Sequence, residues 1–242
     1  MDISLVYLPD ANIEGCERLI ADLTASGLEI ESILLRSLPL NELNLLEARH
    51  DAANVNLTTH GENTLPSVNV RRIHWDDETG SRYLAHYYAA VYARAPIVLV
   101  IAAGARPDLS TVTGMLRAME NGFDIVIGSR HHKHSDVNYP FTRWFLSKAY
   151  NWMSSLLFRT NTTDATSGLK LFTRTGLIDA LRDCSTTEIT FQLELLRSAR
   201  GSGAQITEVP IVIDYSDAPY ALKGSDLAKT AFDTIRLWWK VR

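Results

Sequence analysis

Short apolar runs alternate with stretches in which apolar residues recur at helical spacing, and this alternation sets the expected architecture. Ile3–Leu8, Ile30–Leu35, Val68–Ile73, Ile97–Ala102 and Asp124–Ile127 read as strands. Glu14–Ala25, Asn41–His50, Arg82–Arg94 and Leu109–Glu120 read as the helices between them. Ile97–Ala102 is apolar throughout, the form taken by a parallel strand buried on both faces. The pattern predicts βαβ units around a mostly parallel sheet. Such sheets bind ligands beyond the carboxyl ends of their strands, so chemistry is expected after Leu8, Leu35, Ala102 and Ile127.

The second half has a different rhythm. Phe141–Phe158 reads as a long helix opened by Pro140, a residue suited to a first helical turn. Leu169–Phe172 is a strand candidate, and Glu188–Arg200 is a helix stopped by Gly201. Ile206–Ile213 is β-rich but interrupted by Pro210, which points to an edge strand. Ser225–Arg242 is an amphipathic helix. With no repeat, low-complexity tract or clear linker, residues 1–242 are expected to form one domain.

Composition narrows this picture only a little. The 242 residues are 46% apolar and 21% charged, as in an ordinary folded chain. A net charge of -4 gives no reason to expect a nucleic-acid partner. Cys16 and Cys184 are far apart and read as reduced thiols of a cytoplasmic protein. The opening Met-Asp-Ile-Ser has no basic stretch and reads as a strand, not as a signal peptide. No apolar run reaches the ~20 residues that span a bilayer, so contact with a lipid would be peripheral.

Four segments carry a specific signal. They are Asp124-Ile-Val-Ile-Gly-Ser-Arg130; Arg143 with Ser147 and Asn151; Asp164-Ala-Thr-Ser-Gly-Leu-Lys-Leu-Phe-Thr-Arg174; and Phe191-Gln-Leu-Glu-Leu-Leu196 with Ala199-Arg-Gly201 and Glu208-Val-Pro-Ile211. In this order and spacing the chain resembles family 2 glycosyltransferases of the dolichol- and polyprenyl-phosphate type. The resemblance implies a GT-A fold, an α/β sheet flanked by helices. It implies transfer of a hexose from a nucleotide-sugar to a polyprenyl phosphate at the inner face of a membrane. In the family, residues matching Arg130, Arg143 and Ser147 gather the acceptor phosphate, and Lys170 fits a further basic position. Arginine suits that task because its planar fork bonds two phosphate oxygens at once. Arg143 and Ser147 are four residues apart and share a helix face.

The donor side departs from the family. Where the family ends its first strand in Pro-x-Tyr-Asn-Glu, this chain has Leu8-Pro-Asp-Ala-Asn12. Its second strand ends Leu34-Leu-Arg-Ser37, without the paired aspartates that hold base and ribose. The Asp-x-Asp motif after the central strand is replaced by Ala102-Ala-Gly104, followed by Ala105 and Arg106. The resemblance implies magnesium or manganese, which offsets the charge gained by the leaving diphosphate. Alanine and glycine side chains cannot ligate it. Arg36, Ala102, Gly104 and Arg106 are thus expected to mark an altered donor pocket, with Arg36 and Arg106 able to make it cationic.

Four readings stay open at this point: a homologue with impaired metal-dependent transfer; an active metal-independent glycosyltransferase using Arg106 or Lys170; a non-catalytic binding or scaffolding partner, alone or paired with an active homologue; and a lipid-phosphate binder at a membrane. Asp164 reads as a turn residue or a catalytic one, and Glu194 as a ligand-orienting residue or a structural one. His131, His132 and His134 surround Lys133 and read as an exposed basic loop, since nothing else stands at ligand spacing. Trp75-Asp-Asp-Glu78 reads as a solvated loop. Trp144, Phe145, Tyr150, Trp152, Met153 and Phe158, and Trp238 and Trp239 between Arg236 and Lys240, suit a bilayer interface, a core or a subunit contact.

Overall fold

The computed structural model describes residues 2–7, 13–37, 69–75, 86, 89–102, 105, 107–138, 141–186, 190–214 and 224–240. Its strands are β1 (Asp2–Tyr7), β2 (Glu29–Ser37), β3 (Asn69–Trp75), β4 (Ile97–Ile101), β5 (Ile125–Ser129), β6 (Asp136–Asn138), β7 (Leu169–Thr173), β8 (Ile206–Pro210) and β9 (Val212–Asp214). Its helices are α1 (Ile13–Ala25), α2 (Leu109–Glu120), α3 (Phe141–Phe158), α4 (Arg174–Leu181), α5 (Phe191–Gly201) and α6 (Gly224–Lys240). Residues 89–92 are also helical, within the expected Arg82–Arg94 helix. The expected Asn41–His50 helix lies outside the described residues.

Seven strands form one mixed sheet in the order β3-β2-β1-β4-β7-β5-β8. β1, β2, β3 and β4 run parallel, and so do β5 and β8. β7 is antiparallel to both of its neighbours. β8 is a sheet edge, in keeping with Pro210 at its end, and Ile211 separates it from β9, which pairs with β6 in a small second sheet.

Alternation along the strands builds a core on each face. Ile97, Leu99 and Ile101 of β4 pack with Leu19, Ile20 and Leu23 of α1 and Val112 and Met115 of α2. Val98 and Val100 pack on the other side with Phe158 of α3, Leu177 of α4, Phe191 and Leu195 of α5, and Leu237 of α6. A strand with both faces covered must be apolar throughout, which is why β4 carries no polar side chain. α2 starts where the Asp108 carboxylate accepts from the Thr111 amide at 2.8 Å, and α4 where the Thr173 hydroxyl accepts from the Gly176 amide at 3.1 Å. Cys184 is buried in the same core, and burial pushes its thiol up to about 12, so it stays protonated and inert. The side chain of Cys16 lies outside the described residues.

The antiparallel course of β7 positions the site. It sets Leu169 against Ile101 and Lys170 against both Val100 and Ile127. The segment entering β7, residues 164–168, therefore lies at the carboxyl ends of β4 and β5 together. The Ala102 amide donates to the Gly168 carbonyl at 2.8 Å, and the Ser167 hydroxyl donates to the Gly128 carbonyl at 2.5 Å. The fit against β4 is close, since a Cβ at Gly168 would stand 2.8 Å from the Ala102 methyl.

Gly168→Ala should therefore lower stability by about 1–3 kcal/mol through overpacking. Gly114→Ala in α2, where the added methyl meets nothing within 4 Å, should raise it by roughly 0.5–1 kcal/mol. Chemical denaturation of the two variants tests this, and equal stability of both would refute the close approach.

Candidate functional site

The end of β5 and the entry to β7 are joined by one ion pair. Arg130 follows β5, and Asp164 is completely buried. The Asp164 carboxylate accepts from Arg130 Nε at 2.6 Å, from Nη2 at 2.6 Å and from the Arg130 backbone amide at 2.9 Å. Arg130 Nη2 also donates to the Thr166 hydroxyl at 3.1 Å. Burial alone would raise the Asp164 carboxyl. The Arg130 charge and hydrogen bonds outweigh it and hold the group below its ordinary value. Asp164 also forms the turn expected of it, its carbonyl accepting from the Ser167 amide at 3.2 Å. Its carboxylate is spent on orienting Arg130, which separates it from a catalytic base.

A second connection reaches α3. His131 Nε2 lies 2.9 Å from the Ser147 hydroxyl, and the His131 amide donates to the Ser129 hydroxyl at 3.2 Å. His131 Nδ1 is buried with no hydrogen-bond partner. The expected exposed basic loop is thus only partly found: Lys133 and His134 are exposed, while His131 turns in toward Ser147. Burial lowers the His131 pKa, Asp164 opposes that, and Arg130 and Lys148 reinforce it. Among the described residues no group of three His, Cys, Asp or Glu side chains could hold a metal ion. Asn151 donates to the Ser147 carbonyl at 3.0 Å and so steadies that turn of α3. Arg143 lies on α3 one turn before Ser147, and its side chain is outside the described residues.

Lys170 departs from a surface phosphate ligand. It is 1% exposed, and its ammonium donates to the Ser167 carbonyl and to Gln192 Oε1 at 2.7 Å. It braces the 164–168 segment against α5, a job that its position facing the core imposes. Glu194 proves structural. Its carboxylate accepts from the amides and hydroxyls of Ser185 and Thr186, closing the loop before α5. Glu208 of β8 accepts from the Thr163 amide and hydroxyl and from the Asp164 amide at 3.0 Å, fixing the other side of the loop. The roles of Gln192 and Glu208 escaped the sequence reading, and so did the contact of His131 with Ser147. Gln192 and Glu208 lie within the matched segments, but only their distance to the 163–170 segment reveals what they do.

At the strand end where the resemblance implies the donor, Ala102 follows β4 and is half-buried against the core. Its methyl faces Gly168, and a methyl offers no electron pair to a cation. The residue found here does not fit a divalent metal ion. Arg36 lies on β2 in register with His74 of β3. The Arg36 side chain, Gly104, Arg106 and residues 76–78 lie outside the described residues.

Comparison with known proteins agrees with this architecture. No protein-family model matches the chain. It is 27% identical to a polyprenol monophosphomannose synthase of Mycolicibacterium smegmatis over 167 residues, which is 67% of this chain and 62% of that protein. It is 25% identical to glycosyltransferase AglD of Haloferax volcanii over 174 residues, 71% of this chain and 28% of that protein. The chain thus spans less than two thirds of either relative. Glucosyl-3-phosphoglycerate synthase from Mycobacterium tuberculosis, in complex with uridine diphosphate, shares the fold: the TM-score is 0.63 over 99% of this chain and 79% of that one, at 14% identity. The same enzyme with Mn2+, uridine-diphosphate-glucose and phosphoglyceric acid gives 0.59 over 98% and 79%, also at 14% identity.

Two outcomes follow from the ion pair and the histidine. Asp164→Asn leaves the Arg130 charge uncompensated and should cost about 3–5 kcal/mol. Asp179→Asn, which breaks the exposed 3.2 Å pair with Arg182, should cost under about 1 kcal/mol. Denaturant titration of both variants measures the contrast, and similar losses would contradict it. For pH, both shifts are downward in the folded state. The unfolded chain then binds protons first, so each group loses stability as pH falls. His131 contributes a loss that begins below its ordinary value near 6.5, and Asp164 one that begins below about 3.9. His131→Asn should flatten the upper window only. An unchanged slope there would show that His131 is not its source.

Proposed function

Starting from a chain that is a GT-A-fold relative of family 2 glycosyltransferases, we propose that it retains the acceptor-phosphate side of a polyprenyl-phosphate hexosyltransferase and has impaired metal-dependent handling of the donor. The observation that carries this reading is the contrast between two strand ends. After β5, Arg130 is aligned by Asp164 and stands next to the His131–Ser147 pair. After β4, the side chain at position 102 is a methyl group.

On this reading Arg130 offers charge and a fixed guanidinium plane to a phosphate, and the Ser147 hydroxyl offers a further hydrogen bond. Arg143, one helical turn before Ser147, is the third expected ligand. Lys170 acts indirectly by holding Ser167. The acceptor phosphate oxygen is itself the nucleophile toward an anomeric carbon, so no strong general base is needed. This suits a site whose one fully buried carboxylate is committed to an arginine. The partners on this reading are a nucleotide-sugar and a polyprenyl-phosphate lipid met at a membrane surface, by analogy with the named synthase. Charge stabilisation by Lys170, the basis of a metal-independent enzyme, is disfavoured because its ammonium is tied to Ser167 and Gln192.

The test is calorimetry and radiolabel transfer with nucleotide-sugars and a short polyprenyl phosphate, with and without Mn2+ or Mg2+. Phosphate binding is expected in the absence of metal. Ser147→Ala should weaken it roughly ten-fold, the loss of one charge-assisted hydrogen bond of about 1.5 kcal/mol. Metal-stimulated transfer should be weak or absent. Robust turnover that depends on either metal overturns the donor half of the reading. Absence of phosphate binding overturns the acceptor half.

A further inference from the structure

The backbone that carries His131 is anchored by two carboxylates. Glu208 accepts from the Thr163 hydroxyl at 2.9 Å, so the Thr163 proton is spent there. The Ser129 hydroxyl, 2.8 Å from Thr163 Oγ1, is then the donor in that contact. With its own proton spent, Ser129 Oγ accepts from the His131 amide at 3.2 Å. The neighbouring Arg130 amide donates to Asp164 at 2.9 Å. The imidazole is thus presented to α3 from a fixed backbone.

The ring meets α3 through one nitrogen. Nε2 lies 2.9 Å from Ser147 Oγ, and Nδ1 is buried with no hydrogen-bond partner. A neutral imidazole carries its proton on one nitrogen or the other. On Nδ1 the proton would be a buried donor with nothing to accept it. Buried N–H groups without an acceptor are rarer in folded proteins than acceptors without a donor. On Nε2 the proton meets Ser147 Oγ directly. A doubly protonated ring would again bury an unmet Nδ1–H, and Arg130 and Lys148 oppose it while Asp164 favours it.

The position of this proton decides what Ser147 can offer. A hydroxyl that accepts from His131 keeps its own proton to give. Within the helix that proton can turn to the Arg143 carbonyl, and an anion beside Arg130 is the stronger acceptor. With the opposite tautomer, Ser147 would spend its proton on Nε2 and present only lone pairs to an anion.

We infer that His131 is a positioning residue whose Nε2–H donates to Ser147 and so leaves the Ser147 proton for a phosphate oxygen. The pair then selects an ionised phosphate oxygen over a protonated one. The direction of the His131–Ser147 bond stands without any ligand, and its use rests on the acceptor reading.

Nitrogen NMR of the histidine-labelled wild-type protein distinguishes a protonated ring nitrogen from a bare one, and loss of a signal in His131→Gln assigns it. A protonated Nε2 and a bare Nδ1 are expected. Binding of inorganic phosphate is followed by calorimetry. His131→Phe keeps a ring without a donor and should weaken binding roughly three- to five-fold, the effect of one neutral hydrogen bond. His131→Gln, whose amide also donates, should bind within about two-fold of wild type. In a Ser147→Ala background, His131→Phe should cause no further loss, whereas a loss of packing would persist. His134→Phe, on the exposed part of the loop, is the control and should bind like wild type. Circular dichroism checks that the variants fold, and the NMR result needs none of them to bind. A proton on Nδ1 overturns the inference. So does an equal loss from His131→Phe with and without Ser147, or no recovery in His131→Gln. In each of these cases phosphate binding by the wild type keeps the acceptor reading. A proton on Nε2 with no phosphate binding by the wild type overturns the acceptor reading, and with it the use of the Ser147 proton, but not the direction of the bond.

Discussion

A buried carboxylate is tolerated only when its charge and lone pairs are met, and Asp164 imposes that demand on everything around it. It is completely buried and accepts three hydrogen bonds from the one residue, Arg130. Two bonds come from the guanidinium and one from the backbone, so both the side chain and the chain direction after β5 are set. Glu208 then fixes Thr163 and Asp164 from the β8 side, and Ser129 bonds to Thr163 at 2.8 Å. Replacing such a pair by apolar residues is often neutral or stabilising, so its value here lies in geometry more than in net stability. It holds a guanidinium in one plane next to the His131–Ser147 contact.

The sheet makes this arrangement possible. In a wholly parallel sheet the segment entering a strand would sit at the opposite edge from the ligand-binding ends. By running antiparallel between β4 and β5, β7 brings its own entry to the edge where those two strands finish. Ser167, Gly168 and Lys170 each then secure the segment differently: through the Gly128 carbonyl, through contact with Ala102, and through Gln192 of α5. The lysine is buried because position 170 falls on the core face of β7, the same face as Phe172.

Period and turn chemistry made much of this legible. The central strand at Ile97, the boundaries of α2 and α3, and the edge character of β8 follow from apolar runs, helical spacing and one proline. The reversed direction of β7 did not, because a five-residue apolar run has the same pattern in either orientation. α4 was missed because Arg174–Leu181 is short and follows directly on β7. Within the site, Arg130 and Ser147 stood out through the resemblance, but their neighbours did not. Asp164 is 34 residues from Arg130, and His131 is 16 residues from Ser147. No local pattern encodes such separations. Lys170 stood out through the same resemblance, but its burial did not, because burial of a single strand position is not visible in a sequence.

The two sides of the site are not independent. Ala102 ends the central strand and touches Gly168, which belongs to the segment carrying Asp164. Small residues at both positions let the loop close onto β4. The end of β4 therefore abuts the loop that aligns Arg130, and the packing of that loop does not require a carboxylate there. The placing of Arg130 rests on contacts among Arg130, Asp164 and Glu208, with Ser167 and Lys170 holding the same loop. On the proposed reading the two ends can change separately, because one depends on side chains at a single strand end and the other on a hydrogen-bonded loop. α3 likewise has two unlike sides, with Ser147 turned toward His131 and Phe141, Phe145 and Trp152 exposed.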